Sequence, residues 1–297
     1  MLEGKVIIVT GAGSGLGRAY AHLASRLGAS VVVGDIDFER AAMTASEIEA
    51  AGGTAAPAAV DVASWEAARE LVEGSVERYG RLDGLVNNAG VMRPGRAHEL
   101  TGEDMHALLA VNVLGTAACS VHAARHMVAA GRGSIVNVTS GAHLGLAGMA
   151  GYGASKGAVA SLTYCWAADL QGTGVRVNAV SPWGSTDMLG VQAAYLRARG
   201  ITRDVEGYPA EANAPMVCYL LSDASAHVHG QIVRFDRGRL SLMAHPAVLV
   251  GSVQREEWSV DDIATAFRDQ LDTLLQPLGI ARSHGALPAR QVKSPEG

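Results

Sequence analysis

Short apolar runs without polar alternation recur along the chain, separated by longer segments with helical periodicity. Runs of this kind are typical of strands that are covered on both faces. The predicted strands are Val6–Thr10, Val31–Gly34, Leu82–Asn87, Ser134–Thr139, Val175–Ser181 and Gln231–Phe235, with a weaker candidate at Ala58–Asp61. The predicted helices are Gly15–Leu27, Arg40–Ala51, Trp65–Tyr79, Glu103–Ala130, Tyr152–Leu170 and Ala210–Leu221.

This alternation predicts an α/β fold, in which a doubly wound parallel sheet lies between two layers of helices. In such a three-layer fold ligands bind at the carboxyl ends of the strands. The segment from Leu189 to Pro209 shows no clear continuation of the pattern and is predicted to be a mobile flap. We expect one domain over residues 1–243 and a C-terminal extension over 244–297, with a helix at Val260–Leu275 and a frayed tail over 283–297.

Composition and charge exclude several classes of protein. The 297 residues carry 24 Lys and Arg against 29 Asp and Glu, and this net charge of −5 argues against nucleic-acid binding. The 3 cysteines form no C-x-x-C pair and the histidines show no metal-site spacing, so no metal is expected. The N-terminus leaves no room for a signal peptide, and the apolar stretch Leu108–Val121 is shorter than the ~20 residues of a membrane span. A cytoplasmic protein without a membrane partner is therefore expected.

The turn between the first predicted strand and helix is rich in glycine. Its sequence is Thr10-Gly11-Ala12-Gly13-Ser14-Gly15-Leu16-Gly17. The G-x-G-x-x-G spacing does not fit, whereas Gly11-x-x-x-Gly15-x-Gly17 does. Glycines let backbone N–H groups approach a pyrophosphate at the positive end of a helix. The alternative is a tight strand–helix connection without a ligand.

Asp35, at the end of the second predicted strand, lies 18 residues after Gly17. A carboxylate at this position accepts hydrogen bonds from an adenosine ribose. A 2′-phosphate would face a like charge there, with Asp37 close by, and neither Ser14 nor Ile36 supplies a cation. The pattern therefore predicts NAD rather than NADP. The alternative role of Asp35, a helix cap, is compatible with ribose binding.

Polar and small residues also follow the third and fourth predicted strands. Asp61 and Val62 are positioned to hold an adenine edge, and Asn87 to Gly90 places small residues where backbone passes a ligand. Both segments are also ordinary turn sequences. Each therefore supports a cofactor site only together with the other motifs.

Tyr152 and Lys156 lie four residues apart at the start of a predicted helix, which places both side chains on one face. An ammonium and an oxidised nicotinamide would lower the pKa of the phenol from about 10, so that it exchanges protons with a hydroxyl/carbonyl pair. The alternative is a half-buried tyrosine beside a surface lysine. Ser140 is positioned to hold the substrate oxygen. Asn112, inside an apolar helical segment, either binds a water that passes protons from Lys156 or is a core asparagine satisfied by helix backbone.

Taken in order, these motifs resemble the short-chain dehydrogenase/reductase family. The resemblance covers about residues 3–243 and rests on Thr10–Gly17, Asn87–Gly90, Asn112, Ser140 and Tyr152-x-x-x-Lys156. It implies a single Rossmann-type domain, an Asn–Ser–Tyr–Lys catalytic tetrad and hydride transfer at the nicotinamide. It also implies a homodimer or homotetramer, and a contact of Lys156 with the nicotinamide ribose.

The resemblance is less close after the sixth predicted strand. Family members often carry Pro-Gly there and a Thr five residues beyond the Pro, whereas here Thr186 lies only four beyond Pro182. The chain beyond residue 243 is also longer than the usual ending of the family. The predicted cofactor-binding residues are Gly11, Ser14, Gly15, Leu16, Gly17, Asp35, Asp61, Val62, Asn87, Gly90, Tyr152, Lys156, Pro182, Gly184, Thr186 and Met188.

Apolar residues are expected around the substrate, and they favour a hydrophobic ketone or secondary alcohol. They are Met92, Leu144, Leu146, Met149, Trp183, Met188 and Leu189. The expected activity is the NAD-dependent interconversion of such an alcohol and its ketone. Two other functions stay open: a non-catalytic dinucleotide-sensing or scaffold protein on the same fold, and an NAD-dependent epimerase or dehydratase.

Overall fold

The computed structural model describes residues 1–184, 187–201, 208–248 and 253–275. The chain divides into two compact units, Met1–Ala244 and His245–Gly297. The first unit contains all of the predicted catalytic and cofactor-binding residues. Thr186 and the predicted frayed tail over 283–297 lie outside the described residues.

In the described part of the first unit, one sheet of eight strands forms the centre of the fold. Its strands are β1 (Val6–Thr10), β2 (Ser30–Asp35), β3 (Thr54–Ala59), β4 (Gly84–Asn87), β5 (Gly133–Val138), β6 (Val175–Ser181), β7 (Ile232–Asp236) and β8 (Arg239–Leu242). Their spatial order is β3-β2-β1-β4-β5-β6-β7-β8, and every neighbouring pair except β7–β8 is parallel. The order reverses between β1 and β4, so a ligand crevice is expected outside the carboxyl ends of these two strands.

Helices cover both faces of this sheet. They are α1 (Gly15–Arg26), α2 (Phe38–Ala50), α3 (Trp65–Tyr79), α4 (Gly102–Leu108), α5 (Thr116–Ala129), α6 (Ala150–Asp169), α7 (Asp187–Arg197) and α8 (Ala214–Leu221) in the first unit, and α9 (Val260–Asp269) in the second. Ile7 and Val9 of β1 belong to the apolar cluster under α1, α2 and α8, whereas Ile8 belongs to the cluster under α3, α5 and α6. The predicted α/β class, with a mostly parallel sheet between two helical layers, is confirmed.

Several predicted elements shift by one or more residues at an end, and two depart further from the structure. β3 begins at Thr54, four residues before the predicted Ala58, because the residues from Ala55 to Ala59 include none of the β-branched residues that mark the other strands. Its Pro57 is tolerated because β3 is an edge of the sheet. The predicted helix Glu103–Ala130 is divided into α4 and α5 by a π-helical segment, Leu109–Gly115.

Other elements were missed or misjudged. The segment predicted as a flap, Leu189 to Pro209, contains most of α7. The strand β8 was not predicted, because all of its residues are exposed and its sequence carries no strand-like apolar run. In the second unit α9 ends at Asp269 rather than at the predicted Leu275, and a 3₁₀ turn follows over Leu271–Leu274.

One helical stretch among the described residues, Gly102–Ala129, is long and apolar enough to cross a membrane by length and composition. It exceeds the apolar stretch that the sequence analysis judged too short, because α4, the π-helical segment and α5 are continuous. Half of its most apolar window is buried inside the fold, where α5 packs against α3 and the sheet. Core helices meet the same criterion, so length and composition alone do not place it in a membrane.

Candidate active site

The glycine-rich turn joins the end of β1 to the start of α1. Gly11 and Gly15 adopt φ angles of +63° and +53°, the left-handed region that favours glycine. A Cβ on Gly11 would lie 2.8 Å from the Cα of Ala89, and a Cβ on Gly17 would overlap the carbonyl oxygen of Gly11. Ser14 is the N-cap of α1, and its side chain makes no capping bond. Both glycines are thus required by close backbone packing, which brings the turn to the N-terminus of α1, where a pyrophosphate would bind.

Asp35 ends β2 beside this turn, as the prediction of a ribose contact requires. Its Oδ2 accepts the Gly13 N–H at 2.8 Å, and its Oδ1 accepts the Asp37 N–H at 3.0 Å. The N-cap of α2 is Asp37, so the alternative of Asp35 as the helix cap is wrong. Neither Ser14 nor Ile36 supplies a cation here, but Arg40 of α2 lies against Gly13, with its Nε 3.3 Å from Asp37 Oδ2.

The two asparagines after β4 lie in different surroundings. Asn87 is buried, and its Nδ2 donates to Ser120 Oγ at 2.7 Å and to Asn137 Oδ1 at 2.8 Å. Its side chain is therefore turned into the layer between the sheet and α5, which leaves only its backbone for the predicted cofactor contact. Asn88, which the sequence analysis did not single out, donates from Nδ2 to two carbonyl oxygens of the glycine-rich turn at 3.0 Å each. Asn88 thereby ties the end of β4 to that turn.

Asp61 and Val62 follow β3 at the same edge of the sheet. Asp61 is exposed, and its Oδ1 accepts the Ala63 N–H at 3.0 Å. Val62 is buried and packs closely on Gly115. A Cβ on Gly115 would lie 2.7 Å from Val62 Cγ2. Asp61 is therefore accessible to a ligand, whereas the side chain of Val62 belongs mainly to the core.

Tyr152 and Lys156 lie one turn apart on α6, and both are buried, at 6% and 3% exposure. Lys156 Nζ lies 5.9 Å from the centre of the Tyr152 ring and donates to the carbonyl oxygen of Val138 at 2.8 Å. Burial lowers the pKa of Lys156 to about 8, since the charged form loses its hydration. Burial raises the pKa of Tyr152 to about 12, and a hydrogen bond with Ser140 opposes that rise. The predicted lowering of the pKa of Tyr152 is therefore not found with the lysine in place, and the part expected from an oxidised nicotinamide stays a prediction.

Ser140 lies at the start of a 3₁₀ turn, Gly141–Leu144, that follows β5. Its Oγ accepts the Ala142 N–H at 3.2 Å and shares a hydrogen bond with the Tyr152 hydroxyl. His143 contacts the carbonyl oxygen of Ser140 through Nδ1, which fixes the turn on its other side. The structure thus brings the predicted substrate-holding hydroxyl and the predicted acid/base together.

Asn112 lies in the π-helical segment, and its amide has partners on both sides. Its Nδ2 donates to Val91 O at 3.0 Å and to Ser155 Oγ at 2.9 Å, while its Oδ1 accepts the Val91 N–H at 2.8 Å. A satisfied core asparagine was the alternative prediction, although its partners here are not the helix backbone. A Cβ on Gly90 would lie 3.0 Å from Asn112 Oδ1 and 3.5 Å from Lys156 Nζ. Asn112 therefore fixes the backbone that borders Lys156, and a water relay at this residue stays a prediction.

The loop after β6 passes over the start of α1. Asn213 holds its backbone, since Nδ2 donates to Trp183 O at 3.0 Å and Oδ1 accepts the Trp183 N–H at 3.2 Å. A Cβ on Gly184 would lie 3.0 Å from Leu16 Cδ2. Gly184 therefore lies close to the glycine-rich turn, and the predicted contacts of Pro182 and Gly184 with a cofactor stay predictions.

An apolar wall borders the phenol. Tyr152 clusters with the buried Leu108, Ala142 and Met149 and with the partly buried Val91, Met92 and Leu146. Met188, near the start of α7, reaches toward the same place, since its Cε lies 3.7 Å from the Cβ position of Gly90. Among the described residues no group of three or more His, Cys, Asp or Glu could hold a metal ion. The arrangement therefore places the buried phenol of Tyr152 beside an apolar surface.

Comparison with known proteins agrees with this geometry. The model of the short chain dehydrogenase family matches residues 5–194. The chain is 37% identical over 242 residues to 3-oxoacyl-(acyl-carrier-protein) reductase FabG of Thermotoga maritima, which covers 80% of this chain and 98% of that protein. It is 38% identical over 240 residues to cis-4-hydroxycyclohexanecarboxylate dehydrogenase of Sinomonas cyclohexanicum, which covers 79% and 96%.

A solved structure extends the likeness to three dimensions. The crystal structure of a short chain dehydrogenase from Mycobacterium avium matches with a TM-score of 0.80 at 32% identity, over 93% of this chain and 97% of that chain. The sequence matches and the structural match are thus all to dehydrogenases or reductases, and they agree with the motifs. The chain belongs to the short-chain dehydrogenase/reductase family, oxidoreductases that act on CH–OH groups with a nicotinamide dinucleotide as cofactor.

Proposed function

We propose that the protein interconverts a hydrophobic secondary alcohol and its ketone, with Tyr152 as acid and base and NAD as cofactor. The observation that carries this proposal is that Tyr152, which shares a hydrogen bond with Ser140, has its ring centre 5.9 Å from the Lys156 ammonium. Hydroxyl groups donate and accept hydrogen bonds, so Tyr152 and Ser140 are able to address one substrate oxygen together. A buried tyrosine with only a structural role needs neither a neighbouring serine hydroxyl nor a neighbouring lysine ammonium.

The residues at the carboxyl ends of β1 and β4 fit a dinucleotide. Gly11 and Gly17 pack against neighbouring protein atoms with no room for a Cβ, and this close packing keeps the N-terminus of α1 within reach of a pyrophosphate. Asp35 would hold the adenosine ribose, and Lys156 the nicotinamide ribose. When bound, the cofactor supplies the acceptor or donor of the hydride, and the side chains of the protein handle the proton.

The proton chemistry follows from the two shifted groups. At neutral pH Tyr152, with a pKa of about 12, is protonated and ready to donate to a carbonyl oxygen that Ser140 holds. Lys156, with a pKa of about 8, is mostly charged and close enough to stabilise the phenolate that forms. In the opposite direction the phenolate accepts the proton of the alcohol. Asn112 contributes by fixing Val91 beside the lysine.

The preference for NAD rests on Asp35 and Asp37. Two carboxylates at the end of β2 would repel a 2′-phosphate. Arg40 supplies a cation at this edge, but it pairs with Asp37 at 3.3 Å. Titration calorimetry with NAD and with NADP tests this part, and tighter binding of NADP would contradict it.

The apolar wall around Tyr152 favours a hydrophobic substrate. One relative is named for a secondary alcohol on a cyclohexane ring, a group that Met149 and Leu146 would accommodate. We expect at least one member of a panel of hydrophobic secondary alcohols and ketones to change NADH absorbance, with Tyr152→Phe as the blank. Failure of the whole panel with both NAD and NADP would contradict the proposed substrate class.

A catalytic function is favoured over the two alternatives. A dinucleotide sensor or scaffold protein needs no phenol paired with a hydroxyl and a lysine. An epimerase or dehydratase usually resembles G-x-x-G-x-x-G and carries a larger substrate domain, whereas this turn has the spacing Gly11-x-x-x-Gly15-x-Gly17.

We also propose a cytoplasmic homodimer or homotetramer that acts without nucleic-acid or membrane partners. Leu109, Leu114 and Val128 are exposed on the Gly102–Ala129 stretch, where contact with a second copy would remove them from water. The net charge of −5 disfavours nucleic acid. Light scattering of the purified protein tests the assembly, and a monomer at micromolar concentration would contradict it.

A further inference from the structure

The far end of α7 is tied to the loop that precedes α4 through one carboxylate oxygen. Glu99 Oε2 accepts the Tyr195 hydroxyl at 3.1 Å and lies 2.9 Å from a guanidinium nitrogen of Arg199. The same oxygen accepts the Arg96 N–H at 2.9 Å, which fixes the carboxylate on its own loop. Three donors thus converge on one atom, and two of them come from the region of α7.

The aromatic ring of Tyr195 adds a second tie. It packs on Gly148, where a Cβ would lie 3.1 Å from Tyr195 Cε1, and Gly148 has a φ of +78°. The Tyr195 ring also contacts Arg199, whose guanidinium carbon lies 3.7 Å from the centre of the ring. The absence of a side chain at Gly148 is therefore what lets α7 approach this loop.

These loops lead directly to the reaction centre. The Gly95 N–H donates to Gly148 O at 2.8 Å, and the Ala150 N–H donates to Gly95 O at 3.3 Å. Ala150 begins α6, two residues before Tyr152. The residues that receive Tyr195 are thus continuous with the helix that carries the phenol.

The two ends of α7 lie near different parts of the candidate site. Met188 at its start approaches Gly90, beside Lys156. Tyr195 lies seven residues further along, which corresponds to about 10 Å of α-helix. The helix α7 therefore extends from beside the reacting groups to the loop at Gly148, where Glu99 holds its far end.

We propose that Glu99 is a positioning residue whose carboxylate holds α7 closed over the substrate space by binding Tyr195 and Arg199. Its kinetic consequence rests on the proposed function, whereas the position of α7 does not. Breaking the contact weakens the hold on the substrate and leaves the chemistry at Tyr152 in place. The three donors keep the pKa of Glu99 low, at about 2, so the carboxylate stays ionised throughout the working range of pH.

Hydrogen–deuterium exchange tests the position of α7 without any substrate. We expect Glu99→Gln, which removes the charge and keeps the side-chain shape, to speed exchange in residues 188–199 about three- to tenfold. Trypsin should cut after Arg197 and Arg199 faster by a similar factor. The exposed Glu77 on α3 offers the matched control, and Glu77→Gln should leave both rates unchanged. Exchange and cleavage that do not change in Glu99→Gln would overturn the proposal.

Steady-state kinetics then test the consequence for the substrate. We expect Glu99→Gln to raise KM about three- to tenfold while kcat stays unchanged or rises, because a looser α7 also releases product. Tyr195→Phe, which keeps the ring on Gly148, should act in the same direction, and the effects of the two changes should not add. A raised KM without faster exchange would mean that Glu99 contacts substrate itself, and would overturn the role in holding α7. If the wild type turns over no substrate, the proposed function fails while the exchange result still decides the position of α7.

Discussion

The crevice has two halves that are held together in different ways. The cofactor half comprises the loops after β1, β2 and β4, and the substrate half comprises α7 with the loops over 91–100 and 141–149. In the cofactor half, short groups meet backbone: Asp35 accepts the Gly13 N–H, and Asn88 donates to carbonyl oxygens of the glycine-rich turn. In the substrate half, long side chains join segments far apart in sequence, as Glu99 and Tyr195 do.

This difference explains why the two halves differ in how far they can be predicted. A backbone that passes close to another backbone requires glycine, so the position of such a contact can be recognised from the local sequence. A contact such as that of Glu99 with Arg199 places no demand on the residues beside either partner. The cofactor half is therefore constrained mainly residue by residue, whereas the substrate half, apart from Gly148, is constrained mainly by pairs.

The largest expected effect lies at Tyr152, where the two halves meet. Tyr152→Phe removes the proton donor and keeps the ring in its apolar cluster, so turnover should fall by about 10²- to 10⁴-fold. The affinity for the dinucleotide, measured by titration calorimetry, should stay nearly unchanged. Unchanged turnover would show that Tyr152 is not the acid/base, and lost affinity would show that the halves are not separable at this residue.

Lys156 should reduce stability in exchange for function. Its pKa falls from 10.5 to about 8 on burial, so an ammonium held at pH 7 disfavours the folded state by at most about 3 kcal/mol. Lys156→Met should therefore lose turnover and gain stability in urea unfolding at pH 7. Between pH 8 and 10.5 the unfolded wild type binds more protons than the folded one, so this group makes the wild type more stable as pH rises. The stability difference between the two proteins should accordingly shrink over that range, and a constant difference would contradict the assignment.

The same substitution in the two halves should have unequal effects. Gly17→Ala would press a methyl group on the Gly11 carbonyl oxygen, at a typical cost of about 1–3 kcal/mol, and should weaken dinucleotide binding. Gly190→Ala in α7 meets no atom within 4 Å, and should leave the melting temperature unchanged or higher. Equal losses in the two variants would remove the distinction between a backbone-constrained half and a pair-constrained half.

A smaller effect is expected at Asp35. Asp35→Ala removes the carboxylate that is placed for the ribose, so NAD should bind about tenfold more weakly, the equivalent of about 1.4 kcal/mol. The gap between NAD and NADP should narrow at the same time, since one repelling charge is gone. Calorimetry with both dinucleotides measures the two affinities. If the preference for NAD over NADP is unaltered, Asp37 or Arg40 and not Asp35 distinguishes the two cofactors.

Particular residues show where the sequence was sufficient. Ile7 to Val9, on a strand covered on both faces, predicted the sheet, because burial on both sides leaves an uninterrupted apolar run. Tyr152 and Lys156 were found because helical spacing alone puts them on one face. Ser140 was found because it ends the fifth predicted strand, at the edge of a parallel sheet where ligands bind.

Other features left no local signal. The predicted position of β3 was four residues too late at its start, because the alanines at 55, 56, 58 and 59 favour strand no more than helix. The cation at Arg40 was missed because it reaches the glycine-rich turn from the first turn of α2, outside the motif. Asn88 and Ser155 were passed over because their roles depend on partners that only the folded chain brings within reach.

The π-helical segment Leu109–Gly115 separates two demands that are made on one helix. A π-helical turn takes up one residue more than an α-helical turn, so the helix on either side of it keeps its orientation. Deleting one residue here would therefore restore regular winding and leave the buried face of α5 on the sheet. Asn112 lies in the widened turn, so its amide would lose its position against Val91. The extra residue thus belongs to the active site rather than to the core, and its loss should reduce activity more than stability.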